Sequence, residues 1–211
     1  LRYFISIAGP ETSDSDFTWA EFVRRNNSEL VAAWGNLVNR TATMVAKNFG
    51  EIPAAVELED VDREILDAVR GGFETVGDAI AHHRQRAALA EIMRLVGEAN
   101  AYVTRTEPFK LKAPEVRARL ATVLNTLIQV VSDLNTMMSV FLPHSSNAID
   151  VVLGGAGNLA PMPSLVEVED LDGGDPYPII TGDYTDLRPW ASVQVVPGTP
   201  ISKPMPVLQK L

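Results

Sequence analysis

Four polar residues recur on one side of a single helical stretch: Asn36, Arg40, Thr43 and Lys47. With Trp34 at 0° and a turn of about 100° per residue they fall near about 200°, 240°, 180° and 220°, opposite the apolar face. A helix face of this kind is commonly just solvated. Its composition is unusual, however: two cations, an amide and a hydroxyl without an acid, in a chain of 27 acidic and 18 basic side chains with net charge −9. An amide and a guanidinium one helical turn apart, as in Asn36 and Arg40, carry donors and an acceptor suited to a base edge. A second basic concentration spans Arg105, Lys110, Lys112, Arg117 and Arg119 against Glu107 and Glu115, with Pro108-Phe109 in its middle. Phe in a short interhelical loop is usually a core plug. Ringed by cations it can instead stack on an unpaired base of single-stranded RNA.

Other chemistries find little support. With no cysteine there is no disulfide framework, no cysteine-based zinc site and no thiol nucleophile. His82 and His83 are adjacent, so on a helix they point about 100° apart and cannot share a metal as an i, i+4 pair does. They are expected at a solvated helix end, and His144, after Pro143, in a loop or first helical turn. No Glu-x-x-His pair, Walker-type phosphate loop or Rossmann glycine fingerprint occurs. Gly71 and Gly72 sit inside a helical pattern, where close packing accounts for them. The acidic balance argues against non-specific coating of nucleic acid, which needs many phosphate contacts, but leaves a localised base contact open. No apolar run approaches the ~20 residues needed to span a bilayer, and residues 1–20 lack the order of a signal peptide. A cytoplasmic location without a membrane partner is the expectation.

The elements that must position these residues are helical. At 211 residues the chain suits one core, or a core plus an accessory segment. Of its 14 prolines, 9 lie in residues 151–211, whereas residues 115–142 hold neither Gly nor Pro, so an irregular end follows a helical body. From Trp19 to Phe49 apolar residues recur at Val23, Leu30, Val31, Trp34, Leu37, Val38, Met44 and Val45, with Thr18 and Glu21 as a capping box and Gly50 and Pro53 as the stop. A second helix starts near Asp60 with the stripe Val61, Ile65, Val69, Phe73, Val76 and Ile80. A third runs from about Arg86 to Thr104 with Leu89, Ile92, Met93, Val96 and Val103 inward. The fourth, about Glu115 to Leu142, is the most apolar and is expected at the centre; a short fifth is expected around Ser146 to Leu153. The pattern predicts an all-α, up-and-down bundle of four to five helices. Beyond Gly154 loops are expected, with short strands at Val166–Val168 and Ser192–Val196. Tyr177, Ile179, Ile180, Tyr184, Trp190 and Val207 suggest a tail laid along another surface.

At these residues the sequence resembles a known family. The run PETSDSDFTWAEFVRRNNSELVAAWGNLVNRT at 10–41 is similar to the start of the anticodon-binding domain of bacterial methionyl-tRNA synthetases. EANAYVTRTEPFKLK at 98–112, FLPHSSNAI at 141–149 and PGTPISKPMPVLQKL at 197–211 resemble later family segments, so the likeness covers nearly the whole chain. It implies that Asn36 and Arg40 contact the wobble cytosine of the CAU anticodon and that Phe109, where the family usually has Trp, stacks on an anticodon base. Phe keeps the π-face and loses area and the indole donor. Asn39, Thr43, Lys47, Pro108, Lys110 and Lys112 are further candidates for RNA contact.

The resemblance also implies a division: 1–18 as the end of a stem-contact fold, 19–154 as an anticodon-binding bundle, 155–211 as an extended tail packing on the bundle or the catalytic body. The family's KMSKS-like and HIGH-like signatures and its zinc cysteines are missing, so no catalytic or metal residue is expected here. The catalytic part, with its ATP, Mg and any Zn, is expected upstream of Leu1, and the chain by itself is not expected to form methionyl-adenylate. The implied partners are tRNA(Met) and that catalytic part, in a monomer, since no dimerising domain follows Leu211. Two readings compete: a non-catalytic helical interaction module whose stripe is only solvated, and the anticodon domain of another class I synthetase.

Overall fold

The computed structural model describes residues 1–11, 14–182, 188–202 and 206–211. Thr12 and Ser13 of the first motif, Tyr184, and 203–205 of the last motif lie outside the described residues. Among the described residues seven α-helices follow in order: α1 Arg2–Ile7, α2 Trp19–Arg25, α3 Asn36–Asn48, α4 Asp60–Ala81, α5 Gln85–Thr106, α6 Arg117–Met138 and α7 Pro143–Val152. Residues Asn26–Gly35 between α2 and α3 form a π-helix. The expected helix from Trp19 to Phe49 is therefore unbroken but not uniformly α. The amide of Asn36 reaches Val31 O, five residues back, and a Cβ at Gly35 would lie 3.2 Å from Leu30 O. This wider winding changes the angular step before Gly35; within it Leu30 and Trp34 are buried while Val31 is only half-buried.

Thr18 caps α2 by accepting from the Glu21 amide at 3.3 Å. The return half of the expected box is replaced, because the Glu21 carboxylate binds Arg24 and Arg25, each at 2.7 Å. A full capping box occurs instead at α4, where Glu59 and Asp62 bond each other's amides. After α3 the chain turns at Gly50, whose φ of +76° lies in the left-handed region that suits glycine.

Helices α3 to α6 run alternately up and down. Links between α6 and the ends of its neighbours fix the level: Arg117 Nη2 donates to Asn48 O at 3.1 Å, and Tyr102 and Arg119 both bind Asp62. Helix α6 is the central one, as expected, with Leu124, Leu127, Ile128, Val131, Leu134 and Met138 fully buried. Gly72 admits a neighbouring helix: a Cβ there would meet Leu95 Cδ1 at 2.6 Å and Met137 Cε at 3.2 Å. Gly71 has nothing within 4 Å, so packing explains only one of the pair.

Helix α6 is also buried on its polar side, by the later chain. Trp190 Nε1 donates to Phe73 O at 2.8 Å, its ring meets Phe73 edge-on, and Gly77 leaves it room. Gln129 donates to Val193 O at 3.0 Å and accepts from Val195 N at 2.9 Å. This side chain takes the place of a neighbouring strand, so the strand expected at Ser192–Val196 does not form. Residues 198–201 then run beside 50–52, with Ile52 N donating to Thr199 O at 2.9 Å and Gly198 N to Ile52 O at 2.8 Å. Strand β1, Ser164–Val168, pairs antiparallel with β2, Tyr177–Thr181, in the register Val166 to Ile179. Tyr177, Ile179 and Ile180 were expected to lie against another surface. They satisfy their backbone in this hairpin and stay exposed, Ile180 at 74%. No described helix is long and apolar enough to cross a membrane.

Candidate nucleic-acid interface

Helix α3 buries Leu37, Val38, Thr41, Ala42 and Val45, which leaves Asn36, Thr43 and Lys47 exposed and Arg40 half-buried. The four residues singled out by spacing thus share the outer face. Asn39, at the stripe's edge, is half-buried. Arg40 is the most constrained of the set. Its Nη2 donates to Asn100 Oδ1 at 2.7 Å, while Asn100 Nδ2 is anchored to Val96 O at 2.8 Å on α5. Burial lowers the guanidinium pKa from its usual value, yet an arginine stays charged at any physiological pH. Arg40 Nε is buried without a partner. A held, partly dehydrated guanidinium is well prepared for an acceptor brought by a ligand.

The second cluster arises where α5 ends. Glu107, the C-cap, adopts φ 42°, a left-handed conformation uncommon for a non-glycine residue, and its amide returns to Val103 O at 3.0 Å. The chain then enters a single 3₁₀ turn, Pro108–Lys110. Pro108 is buried beneath this turn, so it anchors the loop and offers no side-chain surface of its own. Phe109 is 53% exposed and is not a core plug.

Of the basic residues around Phe109, most are already engaged. Arg119 joins the buried Asp62, whose other partners are Tyr102 Oη at 2.5 Å and Glu59 N at 2.9 Å. Burial opposes the charge on Asp62, but these bonds hold its carboxyl below the usual range. Arg117 covers the Phe49 ring at 4.6 Å, Arg105 pairs with Glu64 at 3.4 Å, and Lys110 with Glu107 at 2.6 Å. Among the described residues, Lys47 and Lys112 take part in no ion pair. Both are exposed. His82 and His83 lie at the exposed end of α4, His82 Nδ1 lying 2.8 Å from Asp78 O. His144 sits in the first turn of α7. No group of three or more His, Asp or Glu that could hold a metal occurs among the described residues.

The two clusters lie on one side of the bundle. Helices α3 and α5 run in the same sense, joined at Arg40 and Asn100, and α3 ends with Asn48 lining a cleft with Lys112, Pro114 and Arg117. Asn100 lies six residues before the end of α5 at Thr106, about 9 Å along the axis at about 1.5 Å of rise per residue, and the turn that carries Phe109 follows that end. Asn100 is the site residue that the spacing of the stripe did not disclose. It lies on another helix, and in the sequence only a lone amide inside a helical run marks it.

Comparisons with known proteins agree on one group. The family model described as tRNA synthetases class I (M) matches residues 1–42. A methionine–tRNA ligase of a Nocardioides species is 57% identical over 211 residues, the whole of this chain and 35% of that protein. That of Beutenbergia cavernae is 58% identical over all of this chain and 35% of its own length. The solved apo structure of Mycobacterium tuberculosis methionyl-tRNA synthetase superposes with a TM-score of 0.81 at 26% identity, covering 100% of this chain and 38% of that one.

Proposed function

With similarity along its whole length, this chain belongs to the methionyl-tRNA synthetases, of which it spans about a third, and we propose that it is the part that reads the CAU anticodon of tRNA(Met). The observation that carries this reading is the outer face of α3, where Asn36 is exposed one turn from an Arg40 held by Asn100. In this reading residues 19–154 are the reading bundle, 155–211 a tail laid over it, and 1–18 the end of a stem-contact fold.

An unpaired cytosine presents a hydrogen-bonding edge once it leaves the stack. Asn36 offers both a donor and an acceptor to that edge, and Arg40 offers donors only. Arg40 is already ordered by Asn100, so little side-chain entropy is lost when the base arrives. A base of the wrong pattern leaves these groups dehydrated and unpaired, which turns binding into discrimination. Phe109 supplies a ring for a neighbouring base, and Lys47 and Lys112 supply charge for the backbone. Attachment of methionine to the tRNA, with ATP and Mg, is assigned to the whole enzyme outside this chain's span; the chain's share is tRNA identity.

Asn36→Ala and Arg40→Ala are each expected to weaken binding to a CAU stem-loop by about 1–3 kcal/mol, the scale of a good base contact. Titration of the folded variants with labelled stem-loop measures this. Unchanged affinity in both sinks the anticodon reading and favours a merely solvated face. Equal affinity of the wild-type chain for stem-loops differing in the wobble base is incompatible with a methionine-specific reader.

A further inference from the structure

Three residues of the RRNNSELVAAWGNLVNR run make no base contact in the reading above, yet all three touch one short segment at the other end of the sequence. Asn26 Nδ2 donates to Gln209 O at 3.0 Å. Asn27 pairs with the backbone of Leu211 twice, its Nδ2 donating to the carbonyl at 3.1 Å and its Oδ1 accepting from the amide at 3.0 Å. At Gly35 a Cβ would meet Leu208 Cδ1 at 3.4 Å and Cβ at 3.5 Å, besides Leu30 O at 3.2 Å, so glycine lets Leu208 lie close to the helix. Residues 206–211 therefore form a strap fastened by two amides and seated against a glycine that immediately precedes Asn36.

The strap adjoins the reading face. Pro206, Val207 and Leu208 line a cleft of about 170 Å³ whose other walls include Val31, Asn36 and Asn39. One side of this cleft is apolar and the other presents two amides, the pairing that receives a flat ring with a polar edge. The π-helix contributes to the geometry, since Asn26, Asn27 and Gly35 all belong to it.

We infer that the strap of residues 206–211, held at Gln209 and Leu211 by Asn26 and Asn27, sets Pro206, Val207 and Leu208 as the apolar wall of the pocket that receives the wobble base, and so acts as a positioning element for its recognition by Asn36. This rests on the anticodon reading proposed above. The strap supplies no base-specific hydrogen bond. It confines the ring so that a mismatched base cannot slide to satisfy its edge elsewhere, and its loss relaxes the choice of base more than it weakens binding as such.

The test compares the 211-residue chain with the Asn26→Ala/Asn27→Ala double variant and with a chain lacking residues 206–211, each titrated with CAU and UAU stem-loops and checked for melting temperature. The expected result is a loss of preference for CAU over UAU of at least about fivefold, the lower range of measured coupling between sites, in both variants. A lowered melting temperature with an unchanged preference overturns the strap as a recognition element and leaves it structural. If the double variant fails to fold, the truncated chain alone decides, by the same ratio. Asn36→Ala is run alongside: loss of CAU binding there with intact preference in both strap variants overturns the strap only, whereas wild-type binding by Asn36→Ala overturns the anticodon reading and the strap with it.

Discussion

At the scale of single residues, the recognition face depends on side chains whose neighbours have already fixed them. Arg40 is the example: Asn100 sets its guanidinium and the bundle has removed part of its hydration before any RNA arrives. Phe109 is a different case, exposed on a turn forced outward by the left-handed Glu107 and the buried Pro108. Replacing it by Ala is expected to cost about 1–3 kcal/mol of stem-loop binding, as for other base-stacking aromatics, with little change in melting because half of the ring is solvated. Phe109→Trp is expected to bind more tightly through its larger face. A Phe109→Ala variant that melts early but binds RNA normally would return the residue to the role of core plug. The stripe was legible in the sequence because helical spacing alone puts Asn36, Arg40, Thr43 and Lys47 on one face. Asn100 was not, because a contact between helices leaves no spacing behind.

At the scale of elements, two buried polar nodes hold α6, one against its neighbouring helices and one against the later chain. Asp62 on α4 is fully buried and shared by Tyr102 of α5 and Arg119 of α6. Arg119→Met leaves that carboxylate without its cation and is expected to destabilise the chain by about 3–5 kcal/mol; thermal melting, at roughly 2–4 °C per kcal/mol for this size, reads the loss. The basic cluster around Phe109 looked like an RNA surface in the sequence, and Arg119 turned inward because a buried acid on another helix required it. Asp133 on α6 behaves oppositely. Burial raises its pKa above the usual value against bonds from Ser192 Oγ at 2.7 Å and Gln129 Nε2 at 3.0 Å. A carboxyl that is raised in the folded state stabilises fully below its unfolded pKa of about 3.9 and loses that contribution as pH rises through the folded value. Asp133→Asn removes the dependence, so its melting temperature relative to wild type is expected to be more favourable at pH 8 than at pH 4.5. An identical difference at both pH values contradicts the assignment.

At the scale of the whole molecule, an acidic chain offers RNA a small cationic area. Apart from residues committed to ion pairs, and from Arg117, which covers the Phe49 ring and donates to Asn48 O, the cations on the face are Arg40, Lys47 and Lys112. About two phosphate neutralisations, by Lys47 and Lys112, at roughly 0.7 each give an expected slope of about −1.4 for the logarithm of stem-loop affinity against the logarithm of salt concentration. A slope near −5 would place the RNA on some other surface. Binding of this kind gains little from long-range attraction, so specificity has to come from the few shaped contacts around Asn36, Arg40 and Phe109.

What the sequence determined by itself is whatever repeats with a local period or depends on residue type: the helices, the central place of α6, the outward stripe on α3 and the family likeness. Its expectations went astray where partners come from far along the chain. The segment Ser192–Val196 carries strand-forming residues, but Gln129 occupies its backbone groups. The π-helix of Asn26–Gly35 has the composition of an ordinary α-helix, and no local period marks its wider winding. The route of the tail, the seating of Trp190 at Gly77, the setting of Arg40 by Asn100 and the strap at Asn26 and Asn27 were decided by tertiary structure alone. Each joins residues more than 50 positions apart, and the energy that selects them exists only once the bundle has formed and excluded water between them.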